Sequence, residues 1–575
     1  MAVETSGDAG EMPAVEDEAA SSTRLYVAFE GGGAKGIVHV GALRAIEERG
    51  FSVCGVSGTS AGAIIAALKA VGYTGAEMVD LDTRNTILDG VVGVNGKPLR
   101  STDLFGPGGW RRVSWLRRSI DSSRRLRPIH AVAALLVLVI AMPAVAAAHQ
   151  SLAVAVVLIL AVGALAALGM AAWLLSGLAQ LDYFARKLDE VLSARFSEVP
   201  LGRPLTFGDL RERDEVCLKI VATDLTSGTL RLFSSEAPSD WHVPVAHAVA
   251  ASICLPVIFK PWPIESRRYL DGGLVSNLPV WPFDERRLLD PDAKTVAVEI
   301  DDPAGFASDP TSSLLWPPRL LRTAIFGAGV LNKRAVPDLC VIRLRTTLGL
   351  LEFDSPRDRY LREVQRAQGA ADVQIMRQIR DVPRLFRNAS ERLHPIILKL
   401  LAISSLLPDD DPSELRIAIA QADRGHYRSM RLTHGFGFEN DMDEGLIFSD
   451  ELNCEPLTSE PLYSDSSLLL WRSAGDPPFA DKLFPRPEDR WSRKKFRPDV
   501  NWILTVPVLS SNSGESDGIM NSRPPSFVVH IDGSAALTGD AAEIQAFHEL
   551  AIEQVEAIYS AIADDERITR YAEHK

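Results

Sequence analysis

Ser60 stands between two glycines in Gly58-Thr59-Ser60-Ala61-Gly62. An apolar run from Phe51 to Val56 precedes it, and a small-residue run from Ala63 to Val71 follows. The first reads as a buried strand and the second as the start of a helix. A serine held this way sits at a strained strand-to-helix turn. Only small neighbours let the chain pass close enough there to push Oγ toward a substrate. The chemistry on offer is nucleophilic attack. A Gly-rich turn that carries an incidental serine is the competing reading.

Two further groups would complete that chemistry. Glu30-Gly31-Gly32-Gly33-Ala34-Lys35-Gly36 follows the strand-like Leu25-Tyr26-Val27-Ala28-Phe29 and precedes a helical pattern from Ile37 to Arg49. Such a loop aims backbone N–H groups at an anion. From the residues alone three readings stay open: an oxyanion hole, a phosphate site and a plain turn. Against phosphate, the loop lacks the Walker Lys-Ser/Thr pair, and its spacing departs from the dinucleotide fingerprint. Asp271 ends the strand-like Tyr269-Leu270 and is followed by Gly272-Gly273. A carboxylate there would face the serine, although Asp-Gly-Gly is commonly only a turn. In a parallel sheet, consecutive βα turns open on one edge, which brings the glycine loop beside Ser60.

The elements that must position these residues belong to a long chain. Its 575 residues imply more than one domain. A hydrophobic content of 46% with 24% charged residues is that of a globular protein. A net charge of −14 argues against a nucleic-acid partner. The five cysteines lie far apart with no CxxC pair, which fits buried thiols in a reducing compartment and suggests neither a disulfide framework nor a zinc site. Residues 1–23 are acidic and small, read as a disordered tail without a secretory signal.

One segment differs from the rest. Seven arginines from Arg111 to Arg127 precede apolar runs over 129–148 and 151–175, parted by His149 and Gln150. Each run is long enough to span a bilayer and contains no charge; Pro143 kinks the first without forbidding it. The short link makes them an antiparallel hairpin. The arginines before it, with Arg186 and Lys187 after it, put both ends and the catalytic domain on the cytoplasmic side of a membrane. The arginines also suit anionic lipid head groups. A buried hairpin in a soluble core is the alternative.

The glycine loop, the serine elbow, the Ala251-Ser252…Pro256…Phe259 segment and Asp271-Gly272-Gly273, in that order, resemble the patatin-like phospholipase family of lipid acyl hydrolases. Ala222 to Gly228 and Leu348 to Ala371 extend the resemblance over 24–378, interrupted by the insert at 111–187. It implies an α/β fold, a three-layer sandwich around a mainly parallel sheet. It implies a Ser–Asp dyad: Ser60 as nucleophile and Asp271 as general base, acting on membrane lipid esters without metal or cofactor. The oxyanion hole falls on the backbone of Gly31, Gly32, Gly33, Ala34, Lys35 and Gly36. Gly58, Thr59, Ala61 and Gly62 frame the elbow, and Gly272 and Gly273 follow the base. Lys35 is read as either an aid to the oxyanion or a surface residue. His247 is the one histidine considered for a Ser-His-Asp triad. A catalytically silent membrane sensor or scaffold that keeps the fold is the other functional reading.

Beyond it, 379–412 reads as a helical linker and 413–575 as an α+β domain. Strands are expected over Leu415 to Ala420, Tyr427 to Thr433, Trp502 to Leu509 and Phe527 to Asp532. A helix from Asp540 to about Ile562 should follow, capped by Thr538 or Asp540, and Trp491 to Arg497 reads as a solvated basic loop. This order is similar to a GAF-type sensory domain. That resemblance implies a small-ligand pocket or self-association that regulates the enzyme; a structural cap without ligand is the alternative.

Overall fold

The computed structural model describes residues 23–93, 96–106, 109–114, 179–196, 202–256, 258–290, 293–301, 336, 339–407, 414–422, 429–438, 447–449, 466–473, 475–483, 493–494, 496–510, 526–565 and 567–568. The expected acidic tail and apolar hairpin lie outside them. Among the described residues no helix is long and apolar enough to cross a membrane. The chain divides into two compact units, Met1–Val373 and Gln374–Lys575.

The first unit is built on β1 (Arg24–Phe29), β2 (Ser52–Thr59), β3 (Cys217–Asp224), β4 (Thr229–Ser234), β5 (Trp262–Ile264), β6 (Arg267–Asp271), β7 (Lys294–Asp301) and β8 (Cys340–Arg345). The sheet runs β5-β6-β3-β2-β1-β7-β8, with β4 also paired to β3. The β1, β2, β3, β7 and β8 neighbours are parallel; β4, β5 and β6 pair antiparallel. The central strands are buried along almost their whole length, as parallel strands covered on both faces must be. Their helices include α1 (Val38–Glu48), α2 (Ala61–Ala70), α3 (Asp182–Arg195), α4 (Phe207–Arg213), α5 (Val245–Ser252) and α6 (Arg357–Met376). The α/β fold expected for a patatin-like domain is therefore the one adopted. β1 is where the strand order reverses, with the glycine loop at its carboxyl end.

In the second unit, β9 (Leu415–Ala422), β10 (Ser429–Phe436), β11 (Ile447–Ser449), β12 (Leu468–Trp471), β13 (Trp502–Val508) and β14 (Phe527–Gly533) form an antiparallel sheet in the order β11-β10-β9-β14-β13-β12. Alternation decides its faces. Ile417, Ile419, Leu504 and Ile531 point toward α7 (Val382–Ile403) and α8 (Ala541–Ala563), whereas Ala418, Ala420, Ile503 and Val528 pack with Phe438, Phe479 and Phe496. Asp540 caps α8 through the N–H groups of Ala542 and Glu543.

Two expectations need correction here. The segment read as a helical linker contributes α7, whose Phe386, Leu393 and Ile397 are fully buried in this core. An apolar stripe of that length is stable only when covered. The basic loop at 491–497 is not simply solvated: Phe496 is core, and Arg497 pairs with Glu414 and Asp499.

Candidate active site

Ser60 follows directly on β2 and precedes α2. Its backbone lies at φ 52° and ψ −122°, a conformation that a residue with a Cβ adopts only when its surroundings enforce it. They enforce it by close approach. A Cβ on Gly62 would lie 2.3 Å from the Phe29 carbonyl oxygen, and one on Gly58 would lie 2.3 Å from the oxygen of Gly62. The elbow is thus pressed against the end of β1, and Ser60 is 5% exposed.

Asp271 ends β6, opposite Ala222 of β3. The chain then turns back over the end of β3, bringing Gly272 against the Val221 oxygen and the Thr59 methyl. The Asp271 carboxylate is 1% exposed. Its Oδ1 accepts the Gly273 N–H at 2.7 Å. Its Oδ2 accepts no hydrogen bond among the described residues, although the Ser60 hydroxyl stands near enough to ease the charge. Burial dominates and pushes the Asp271 pKa up to about 7, with Gly273 and Ser60 opposing it only in part.

The glycine loop divides its amides. Gly31 N–H donates to the Asn277 carbonyl at 3.0 Å, Ala34 N–H to Leu350 at 2.9 Å and Lys35 N–H to Gly32 at 3.1 Å. Those three are spent, so an oxyanion hole over the whole of Gly31 to Gly36 is too broad. Gly32 and Gly33 N–H donate to no acceptor among the described residues, and Gly33, at φ 54°, opens a short 3₁₀ turn. Ala61 N–H, first in α2, is likewise unused. Lys35 is 6% exposed, so the surface role is excluded.

Several partners escaped the sequence reading. Asn277 is fully buried and holds Gly31 from both sides: its carbonyl accepts the Gly31 N–H, and its Nδ2 donates to the Gly31 carbonyl at 3.2 Å and to Glu30 Oε1 at 3.0 Å. Glu30 Oε2 in turn accepts the Ile300 N–H at 2.6 Å. Thr59 Oγ1 donates to the Ser276 carbonyl at 2.8 Å and Ser57 Oγ to that of Pro279 at 2.6 Å. One segment, Asp271 to Pro279, is therefore tied to the elbow strand and to the glycine loop. The available signal was an asparagine inside the apolar run Leu274 to Val280. His247 packs edge-on against Trp262 and has no hydrogen bond to Ser60 or Asp271. Asp224 pairs with Arg267 and accepts the Thr226 N–H at 2.8 Å, pinning the β3 end to β6.

A cavity of about 800 Å³ opens beside the glycine loop. Gly33, Ala34 and Ala61 line its near end, followed by Ile64, Ile65 and Leu68 of α2, Val40 of α1, and Leu188 and Val191 of α3. Its size is that of a pocket for an organic ligand, and its wall is largely hydrocarbon. A second hollow of about 730 Å³ sits at the other end of α1 among Arg44, Glu48, Arg84 and Asp372, away from every site residue. Among the described residues no cluster of metal-ligating side chains occurs.

The patatin-like phospholipase family profile matches residues 27–284. The uncharacterised protein YqhO of Bacillus subtilis is 28% identical over 45% of this chain and 66% of its own length. An NTE family protein of Mycobacterium tuberculosis is 40% identical over 9% of this chain and 14% of its own. The chain thus spans less than two thirds of these curated relatives. Among solved structures, VipD from Legionella pneumophila is 17% identical, covering 61% of this chain and 66% of its own at a TM-score of 0.29. The ordered motifs, the α/β fold and the profile match agree in making residues 27–284 of this chain similar to the patatin-like phospholipase family.

Proposed function

We propose that the first unit hydrolyses fatty acyl esters of glycerolipids or glycerophospholipids through Ser60 and Asp271. The observation that carries this reading is the strained Ser60 beside a fully buried carboxyl whose pKa is held near 7. A carboxylate of ordinary pKa is too weak a base to take a serine proton; one near 7 is matched to the task. Asp271 takes the Ser60 proton as Oγ attacks the ester carbonyl, then returns it to the leaving alcohol. Water activated by the same carboxylate releases the fatty acid from the acyl-enzyme. Gly32 and Gly33 N–H, with Ala61 N–H, receive the developing oxyanion. The apolar cavity takes the acyl chain. The catalytically silent alternative has no observation in its favour.

The two-span membrane location, with the catalytic unit on the cytoplasmic side, remains part of the proposal. In its support, a Cβ on Gly109 would lie 3.2 Å from Ala179 Cβ, so the chain before and after the insert meets side by side, as a hairpin insertion requires. Anionic head groups would meet the arginines, and the second unit would regulate through a small ligand or self-association. The deciding experiment is a lipid-ester panel on membranes from cells that express the full chain. Ser60→Ala should lower hydrolysis by more than about 1,000-fold while the fold persists. Full turnover in Ser60→Ala sinks the reading.

A further inference from the structure

At Ser60 the backbone leaves the sheet. β2 and β3 run in parallel register up to Thr59 opposite Val221, and the positive φ at Ser60 then carries its N–H off that ladder. The N–H meets the hydroxyl of Ser252, the last residue of α5, at 2.9 Å. The same hydroxyl donates to the Val221 carbonyl at 2.6 Å. Ser252 is fully buried. One side chain thus satisfies both backbone groups at the place where the elbow departs from β3, and neither would otherwise find water.

The corner that follows Ser252 grips the other partner. Asp271 N–H donates to the carbonyl of Cys254 at 2.8 Å. Val221, whose carbonyl takes the Ser252 proton, also forms the floor under Gly272: a Cβ there would lie 2.2 Å from that oxygen. The corner from Ser252 to Cys254 therefore holds the nucleophile by its amide at one end and the carboxylate residue by its amide at the other. The hydroxyl has no route to substrate, because it is enclosed between two strands and both its bonds are to backbone.

We propose that Ser252 is a positioning residue for ester hydrolysis: through the Ser60 amide it sets the separation of the Ser60 hydroxyl from the Asp271 carboxylate. This rests on the reading of Ser60 and Asp271 as nucleophile and base. With the hydroxyl removed, the Ser60 amide loses its only acceptor among the described residues and the elbow relaxes toward an unstrained backbone. Oγ then withdraws from the carboxylate. Misplacement of about 1 Å is enough to lower turnover by about 100-fold. Binding of the acyl chain is unaffected, since Ser252 does not line the cavity.

The test uses the full-length chain and a soluble acyl ester, with competent sites counted by a fluorophosphonate titrant. Per titrated site, Ser252→Ala should lower kcat about 10- to 100-fold and leave KM within about twofold. The acid limb of its kcat/KM profile should move to higher pH, because Ser60 no longer eases the charge on Asp271. Ser252→Thr, which keeps the hydroxyl, should recover most of the loss. If Ser252→Ala does not fold, Ser252→Cys takes its place: it is nearly isosteric but a weak hydrogen-bond donor and acceptor, and the same kcat loss is expected. Wild-type kcat per site in the alanine or cysteine variant overturns the proposal, as does a loss that threonine fails to restore. Failure of the dyad reading is seen separately, in a Ser60→Ala sample that still turns over.

Discussion

Asp271 and Asp532 are the same side chain at nearly the same depth, 1% and 2% exposed, in the first and second units. Their surroundings are opposite. Burial drives both carboxyls toward the neutral form. Around Asp532 this is more than reversed. His530 bonds Oδ2 at 3.2 Å, and Arg416 grips both oxygens, from Nε at 2.8 Å and from a terminal nitrogen at 2.9 Å, so the pKa falls below its ordinary value. Around Asp271 no cation among the described residues answers the charge, and the pKa rises to about 7. A scaffold carboxylate is neutralised. A carboxylate left one N–H short of comfort beside a strained serine is held ready for a proton.

Replacing each by asparagine tests that contrast, and the largest effect is expected at Asp271. Asp271→Asn removes the proposed base and should lower kcat by about 10⁴-fold. Its effect on stability has the opposite sign. The folded state binds a proton more tightly than the unfolded chain, so ionisation between the ordinary value of 3.8 and about 7 weakens the fold as pH rises. The full penalty is present above pH 7, about 4 kcal/mol as an upper bound. Asp271→Asn should therefore melt at higher temperature than wild type at pH 8, and the gain should vanish near pH 4. A variant that loses activity and stability together would mean that Asp271 is a structural carboxylate like Asp532. By the same titration, wild-type kcat/KM should rise with pH to a plateau, with its midpoint near pH 7.

Asp532→Asn comes next, with the reverse sign. It removes the buried carboxylate that grips the Arg416 guanidinium, itself 1% exposed. Loss of one member of a buried pair costs about 3–5 kcal/mol. The folded pKa lies below 3.8, so the contribution of the wild-type pair is full above that pH and is lost as pH falls through the folded value. Scanning calorimetry of the full chain at pH 7 should show a clear loss in Asp532→Asn, and the difference from wild type should shrink below pH 4. An unchanged transition at pH 7 would remove the distinction between the two aspartates.

The two regions also differ in how much of them is legible in the residues. The elbow, the glycine loop and Asp271 are local: each is a turn at the carboxyl end of a strand, and each turn chemistry is written in adjacent glycines. What the motifs do not carry is which amides remain free. Gly31 N–H is lost to Asn277 and Ala34 N–H to Leu350, partners hundreds of residues away. Ser252 is visible as part of a motif, yet its bond to the Ser60 amide depends on the register of β2 and β3. In the second unit, helix and strand periodicity locates most elements, but 379–412 reads as a linker although α7 within it packs into the core. An amphipathic helix such as α7 has the same pattern whether or not the chain folds back to cover it.

The smallest expected effect compares two buried hydroxyls. Ser390 Oγ and Tyr559 OH meet at 2.8 Å between α7 and α8, and burial raises the Tyr559 pKa. Both atoms belong to side chains that face each other across one packed core. Tyr559→Phe leaves the ring in place and removes one bond, so it should cost about 1 kcal/mol in a thermal melt. It should leave kcat per titrated site unchanged. Ser252→Ala removes the same chemical group from the first unit, where the bond is to the backbone of a strained turn, and there kcat should fall. Equal effects of the two variants on kcat would show that turnover follows overall stability, and Ser252 would then stabilise the fold without setting the geometry of the dyad.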